Sequence, residues 1–241
     1  MKTAKKIKIP EINADLAYFC GLLAGDGCIS IREHKHEYLV NCGGNPQNEK
    51  EFYDTIVVPL VLDLFGIKPK IFSKDTYGIN IWSKNLVNFL LNDVGLVRSP
   101  KNNLHFPEVF IKDKQLALNF IKGVADTDFS FKLRNGFYPV ISGSSKCRDF
   151  MEEICMVLEN HGFKISKLFD YKINDPRFKK GYNVINRCDI SGHKQFAMWI
   201  KLIGTKQPKN IRKIRLWIES NKQNHKIRNL VEEISIHLEE K

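Results

Sequence analysis

LAYFCGLLAGDG at Leu16–Gly27 and LNFIKGVADTDF at Leu118–Phe129 are one design written twice. Each is an apolar helix pattern with small residues that ends in an aspartate and passes directly into a strand pattern. An acid is favoured at a helix N-terminus; at the C-terminal end it costs a few tenths to about 1 kcal/mol. One helix ending in Gly-Asp-Gly is commonly just a turn. A chain that makes the placement twice, at Asp26 and Asp128, points to a need for carboxylates there.

The sequence around the two copies repeats as well. After Asp26, Ile29 and Ile31 alternate with Ser30 and Arg32, and a return strand is predicted at 37–42. A helix is expected from Asn45 through Phe52, Ile56, Leu60 and Leu64 to a C-cap at Gly66. Strands at 68–73 and 77–82 and a helix capped by Ser83 follow. In the second copy, strands at 129–134 and 137–142 flank Asn135-Gly136, the strongest short hairpin signal. A helix from about Ser145 to Gly162, strands at 164–171 and 182–190, and a helix beginning at Ser191 complete it. Residues 99–114, with Pro100 and Pro107, read as a linker. The expected fold is α+β: two pseudo-symmetric αββαββα domains, 11–104 and 105–210, with a helical tail at 211–241.

Small residues four apart, Gly21 and Gly25 against Gly123 and Thr127, let two helix backbones approach closely. The motif helices are therefore predicted to pack on each other at the domain interface, bringing Asp26 and Asp128 together. Carboxylates so placed repel unless a cation offsets them. Hard oxygen ligands select Mg²⁺, Mn²⁺ or Ca²⁺, and Mg²⁺ is held by one or two carboxylates with phosphate and water completing its shell.

The charge balance names the same kind of partner. Lys and Arg number 38 against 27 Asp and Glu, a net +11, which suits a polyanion and above all nucleic acid. No apolar run approaches the roughly 20 residues that span a bilayer, so no membrane partner is expected. The amino-terminal stretch carries no signal-peptide pattern, so the protein is expected inside the cell, in cytoplasm, nucleoid or organelle matrix. Cys20, Cys28, Cys42, Cys147, Cys155 and Cys188 are scattered without a CxxC pair and read as reduced thiols packed as small apolar residues.

The two stretches resemble the motif of LAGLIDADG homing endonucleases in the single-chain, two-motif form, and the resemblance runs from about Leu16 to Asn210. It implies a monomeric, site-specific endonuclease that cuts both strands of a long double-stranded DNA site, carried by a mobile intron or free-standing. By this resemblance Asp26 and Asp128 bind the catalytic metal, with the backbone of Gly25 and Thr127 as further contacts. Mg²⁺ is the expected ion, Mn²⁺ its substitute, and Ca²⁺ a non-catalytic replacement. Asp126 is the earlier acid of the motif, with Ala24 as its counterpart, and Phe129 stands where the motif has glycine. Each domain is expected to present a four-stranded antiparallel, saddle-shaped sheet to DNA. Ser30, Arg32, Lys68 and Lys70 in the first half, and Ser130, Lys132, Arg134, Arg177, Lys179, Lys180 and Arg187 in the second, are the candidate contacts. Gln47, Lys146, Arg98 and Lys206 are candidate catalytic helpers near the metal, while Lys101 and Lys209 are expected on backbone phosphate or in solvent. The alternative is an RNA maturase of the same fold that assists intron splicing without cutting DNA. A DNA-binding regulator is a further rival; a small-molecule hydrolase is poorly served, since no Ser-His or Cys-His constellation is evident.

Overall fold

Asn13 starts the first motif helix: its side-chain oxygen accepts the Leu16 N–H at 2.9 Å and caps α1 (Ala14–Gly25). In this computed structural model, which describes residues 7–239, every residue from Leu16 to Ala24 is buried, as suits a helix apolar on all sides. Asp26 alone separates α1 from β1 (Gly27–Arg32); a 3-10 turn at Glu33–Lys35 leads to β2 (Glu37–Gly44). Then α2 (Pro46–Phe52), a π turn at Tyr53–Val57 and α3 (Val58–Phe65) make one helical run, ended by Gly66 at φ 67° as predicted. The π turn has a local cause. Pro59 has no N–H to return to Thr55 and its ring crowds that carbonyl, so a wider turn relieves the clash. β3 (Lys70–Ser73), β4 (Tyr77–Trp82) and α4 (Lys84–Asn88) follow, the last started by Ser83 Oγ accepting from Leu86 N at 3.2 Å. The predicted linker is not bare polar chain: Leu104, Phe106 and Phe110 are buried, and α5 (Glu108–Ile111) forms within it.

The second motif helix, α6 (Lys114–Asp128), leads into β5 (Phe129–Arg134). Asn135 and Gly136 take φ 52° and 81° in a three-residue loop with Phe137, one residue longer than expected, so that Arg134 faces Tyr138 and β6 (Tyr138–Ser145) returns. α7 (Arg148–Asn160), β7 (Ile165–Asn174), β8 (Tyr182–Ser191) and α8 (His193–Leu202) complete the repeat. Two helix starts differ from expectation. Ser145 still pairs with Asn186 as part of β6, so α7 begins later, and Ser191 ends β8, leaving Gly192 at φ 99° as the residue before α8. Both sheets are antiparallel and share one order, β1-β2-β4-β3 and β5-β6-β8-β7.

The tail is two helices, α9 (Pro208–Asn221) and α10 (Arg228–Glu239). Trp217 of α9 is fully buried, 5.3 Å ring to ring from Phe196, and its indole N–H donates to His193 Nδ1 at 3.0 Å. By compactness the chain divides between Thr127 and Asp128, with Lys206–Pro208 returning to the first unit and the tail belonging to the second. That cut follows packing rather than the repeat, because α6 packs on α1. No described helix is long and apolar enough to cross a membrane.

Candidate functional site

α1 and α6 meet backbone to backbone. A Cβ on Gly21 would lie 2.1 Å from the Phe120 carbonyl oxygen and 2.9 Å from Gly123 Cα; one on Gly123 would lie 2.1 Å from the Tyr18 carbonyl oxygen. Only glycine at both positions permits that approach. Gly21 and Gly123, two of the small residues predicted to allow the contact, make it. Asp26 is the C-cap of α1, at φ −84° and ψ 1°, and Asp128 is the last residue of α6; both are exposed. Each stands five residues beyond its crossing glycine.

Asp126, two residues before Asp128, is placed quite differently: its exposure is 1%. Its carboxylate accepts the Tyr18 hydroxyl at 2.7 Å and the Lys206 backbone N–H at 2.9 Å, and its own carbonyl accepts from Gln207 Nε2 at 3.4 Å. Asp126 thus fastens the segment after α8 to both motif helices. Burial foremost, then the charge of Asp126 and the hydrogen bond to it, hold the Tyr18 phenol protonated well above its ordinary range.

Three lysine and arginine placements correct the sequence reading. Lys101 neither faces solvent nor waits for phosphate: its ammonium donates to the carbonyls of Leu23 (3.2 Å), Ala24 (2.7 Å) and Gly25 at the C-terminal end of α1. A cation there complements the helix dipole, and it occupies the Gly25 carbonyl that was a candidate metal contact. Arg98 donates to the Ile31 carbonyl at 2.5 Å, five residues along β1 from Asp26, or about 16 Å of extended chain. Lys206 turns its ammonium over the Tyr18 ring at 4.7 Å and to 3.6 Å from Asp15, at the start of α1, about 16 Å of helix from Asp26. Neither Arg98 nor Lys206 is brought to the end of α1. Gln47 sits exposed in the first turn of α2, and Lys146 lies exposed before α7 with its ammonium 5.4 Å from the Phe178 ring. Thr127 bonds back to its own helix, its hydroxyl donating to the carbonyls of Gly123 (3.2 Å) and Val124 (3.0 Å).

Behind Asp26 lies a buried polar group that the sequence did not reveal. Cys42 Sγ is 3.4 Å from Tyr53 Oη, and Glu49, nearly buried, accepts the Asn45 N–H at 2.7 Å. Burial pushes the Cys42 thiol up to about 12, with Asp26 and Glu49 adding to the rise and the Tyr53 bond and Lys101 opposing it. Tyr53 is raised by burial first, with Cys42, Asp26 and Glu49 contributing. Glu49 stands four residues after the Asn45 cap, one beyond the capping-box spacing, so no sequence pattern marked it.

Among the candidate DNA contacts, those on β1 and β5 alternate with buried residues, while Lys68 and residues 177, 179 and 180 lie outside the strands. In the second, Phe129 and Phe131 are buried while Ser130 is half-buried and Lys132 and Arg134 are exposed. In the first, Ile29 is buried, Ser30 half-buried and Arg32 exposed, its guanidinium 3.2 Å from Glu37. Lys68 is exposed just before β3, and Lys70 sits 5.6 Å from the exposed Trp82 ring. Arg177, Lys179 and Lys180 lie in the exposed β7–β8 loop, where Arg177 grips Asp175 through two bonds of 2.9 and 2.7 Å. Arg187 lies on β8, half-buried, and Lys209 in the first turn of α9.

The fold has solved counterparts. I-DmoI in complex with DNA and Mn matches with a TM-score of 0.57 and 19% identity, over 80% of this chain and 97% of that one. Its complex with DNA and Ca matches at 0.59 and 17% identity, over 84% and 97%. A K262A mutant of I-SmaMI matches at 0.51 and 12%, over 93% and 97%. I-DmoI is a homing endonuclease, and at these identities the likeness is one of fold. In sequence, the chain is 27% identical over 234 residues to a protein of Methanocaldococcus jannaschii described as a probable translation initiation factor IF-2. That match takes in 91% of this chain but 18% of the other, so the chain spans less than a fifth of that relative's length. No protein-family model matches the chain.

Proposed function

We propose that this chain is a divalent-metal-dependent DNA endonuclease of the homing type, hydrolysing one phosphodiester in each strand of a long duplex site. The observation that carries the reading is the pair of exposed aspartates, Asp26 and Asp128, each five residues beyond the glycine at which its motif helix crosses the other. Exposed carboxylates suit Mg²⁺, which needs only one or two from protein when phosphate oxygens and water fill the remaining positions. Bound there, the ion supplies charge that stabilises the attacking and leaving oxygens and eases deprotonation of water. Lys101 holds the end of α1, and with it the position of Asp26. Gln47, exposed in the first turn of α2, and Lys146, exposed just before α7, remain the candidates for orienting water or phosphate. The basic outer face of the second sheet supplies affinity for the backbone. The fold of I-DmoI, with structures described in complex with DNA and Mn or Ca, supports the same reading.

The test is cleavage selection from a randomised duplex library in Mg²⁺, repeated with Asp26→Asn and Asp128→Asn. Wild type is expected to enrich one cut site, and either variant to lose double-strand cleavage while still binding that site in Ca²⁺. Undiminished cutting by either variant would remove the assignment. A wild type that cuts no duplex yet binds structured intron RNA would favour the maturase reading.

A further inference from the structure

On the outer face of the second sheet, one arginine is held by its neighbours in a fixed pose. Asn186, Cys188 and Ile190 of β8 are buried, so Arg187 and Asp189 between them point to the opposite face. Arg187 donates from Nε to Asp189 Oδ1 at 2.9 Å and from Nη2 to Oδ2 at 2.8 Å. Ser142, directly across the β6–β8 pair, donates its hydroxyl to the same carboxylate. Burial of Asp189 alone would raise its pKa, but the bonds from Arg187 and Ser142 outweigh burial and keep the carboxylate below the usual range. The pair therefore stays ionised.

That grip uses the side edge of the guanidinium and two of its five N–H groups. The end edge, made of Nη1 and the second Nη2 hydrogen, keeps two parallel donors with the guanidinium plane fixed. Guanine offers two adjacent acceptors, O6 and N7, in the major groove; adenine puts a donor beside N7, and the pyrimidines offer no such pair. The Asp189 charge also cancels that of Arg187, which makes the residue a poor general phosphate ligand and leaves base discrimination as its use. Arg177 has a similar bidentate grip on Asp175, but its side chain is 85% exposed in a loop.

Resting on the DNA-binding reading above, we infer that Arg187 is a specificity-determining residue that reads one guanine of the target, with Asp189 and Ser142 as the residues that position it. The probe is a randomised 30-bp duplex library, selected for binding in Ca²⁺ by wild type, Arg187→Met and Asp189→Asn, each checked for a native thermal transition. Wild type is expected to select a site with a guanine that Arg187→Met no longer prefers. The loss of affinity should be about tenfold or more on that site and far smaller on a scrambled duplex. Asp189→Asn, which keeps the shape but frees the guanidinium, should relax the same position and no other. An identical consensus from Arg187→Met and wild type overturns the inference while leaving the DNA reading intact. A wild type that selects no sequence overturns both.

Discussion

The Tyr18 hydroxyl of α1 donates to the Asp126 carboxylate of α6 at 2.7 Å, tying the two motif helices through one buried hydrogen bond. The phenol is held protonated mainly by burial, and Cys20 of the same helix and Tyr53 and Cys42 behind it are raised for the same first reason. In the unfolded chain these groups lose protons near about pH 8.5 for cysteine and 10 for tyrosine. Their folded pKa values lie above those, so the native state holds protons that the unfolded state has released. Stability is therefore complete below about pH 8 and declines as pH rises beyond it. Urea midpoints at pH 7, 9 and 10.5 are expected to fall in that order, and Tyr18→Phe to make the decline shallower. A midpoint flat to pH 10.5 would contradict the placement of these groups.

The Gly21–Gly123 contact makes a sharper demand on packing. A methyl group on Gly21 has the Phe120 carbonyl oxygen at 2.1 Å in its way, backbone that cannot swing aside. Gly21→Ala is expected to cost about 1–3 kcal/mol or more, read as a lower urea midpoint with an unchanged slope. Gly136→Ala is the control for the positive-φ cost alone, since nothing lies within 4 Å of a Cβ there. Equal losses in the two variants would mean that the helices do not meet as described.

The legible parts of this molecule were those set by local chemistry. Alternation at Phe129–Arg134, the Asn135-Gly136 turn and the Gly66 cap are each decided by a few neighbouring residues, and each forms where expected. The repeated strand order follows once two such hairpins recur. Side-chain destinations across the chain were not legible. Lys101 and Lys209 stand in matching Pro-Lys-Asn elements, yet nothing local to residue 101 says that its ammonium will find the end of a helix more than 70 residues earlier. Asp126 and Asp128 differ by two positions on one helix, which turns one inward and the other outward. Only the position of α1 determines which.

Lys101→Met tests that destination. The last carbonyls of α1 lose a cationic donor in a half-buried site, with an expected loss of about 1–2 kcal/mol. A residue that only contacted phosphate would leave the urea midpoint of the free protein untouched and change DNA affinity alone. Lower stability without DNA is thus the expected result, and an unchanged midpoint would return Lys101 to the phosphate-contact role.

Lys132 and Arg134 test the outer face of the second sheet as a backbone-binding surface. Both are exposed on β5, on the side opposite the buried Phe129 and Phe131. Each phosphate contact contributes about 0.9 to the slope of log affinity against log salt. Lys132→Ala should lower that slope by about 1 and weaken binding to all duplexes alike, measured in Ca²⁺ between about 50 and 200 mM salt. Arg187→Met should change the slope less than Lys132→Ala, because Asp189 already neutralises Arg187. Slope and affinity both unaltered in Lys132→Ala and Arg134→Ala would take this face out of the DNA interface. A steep slope loss in Arg187→Met would make it a phosphate ligand rather than a reader of bases.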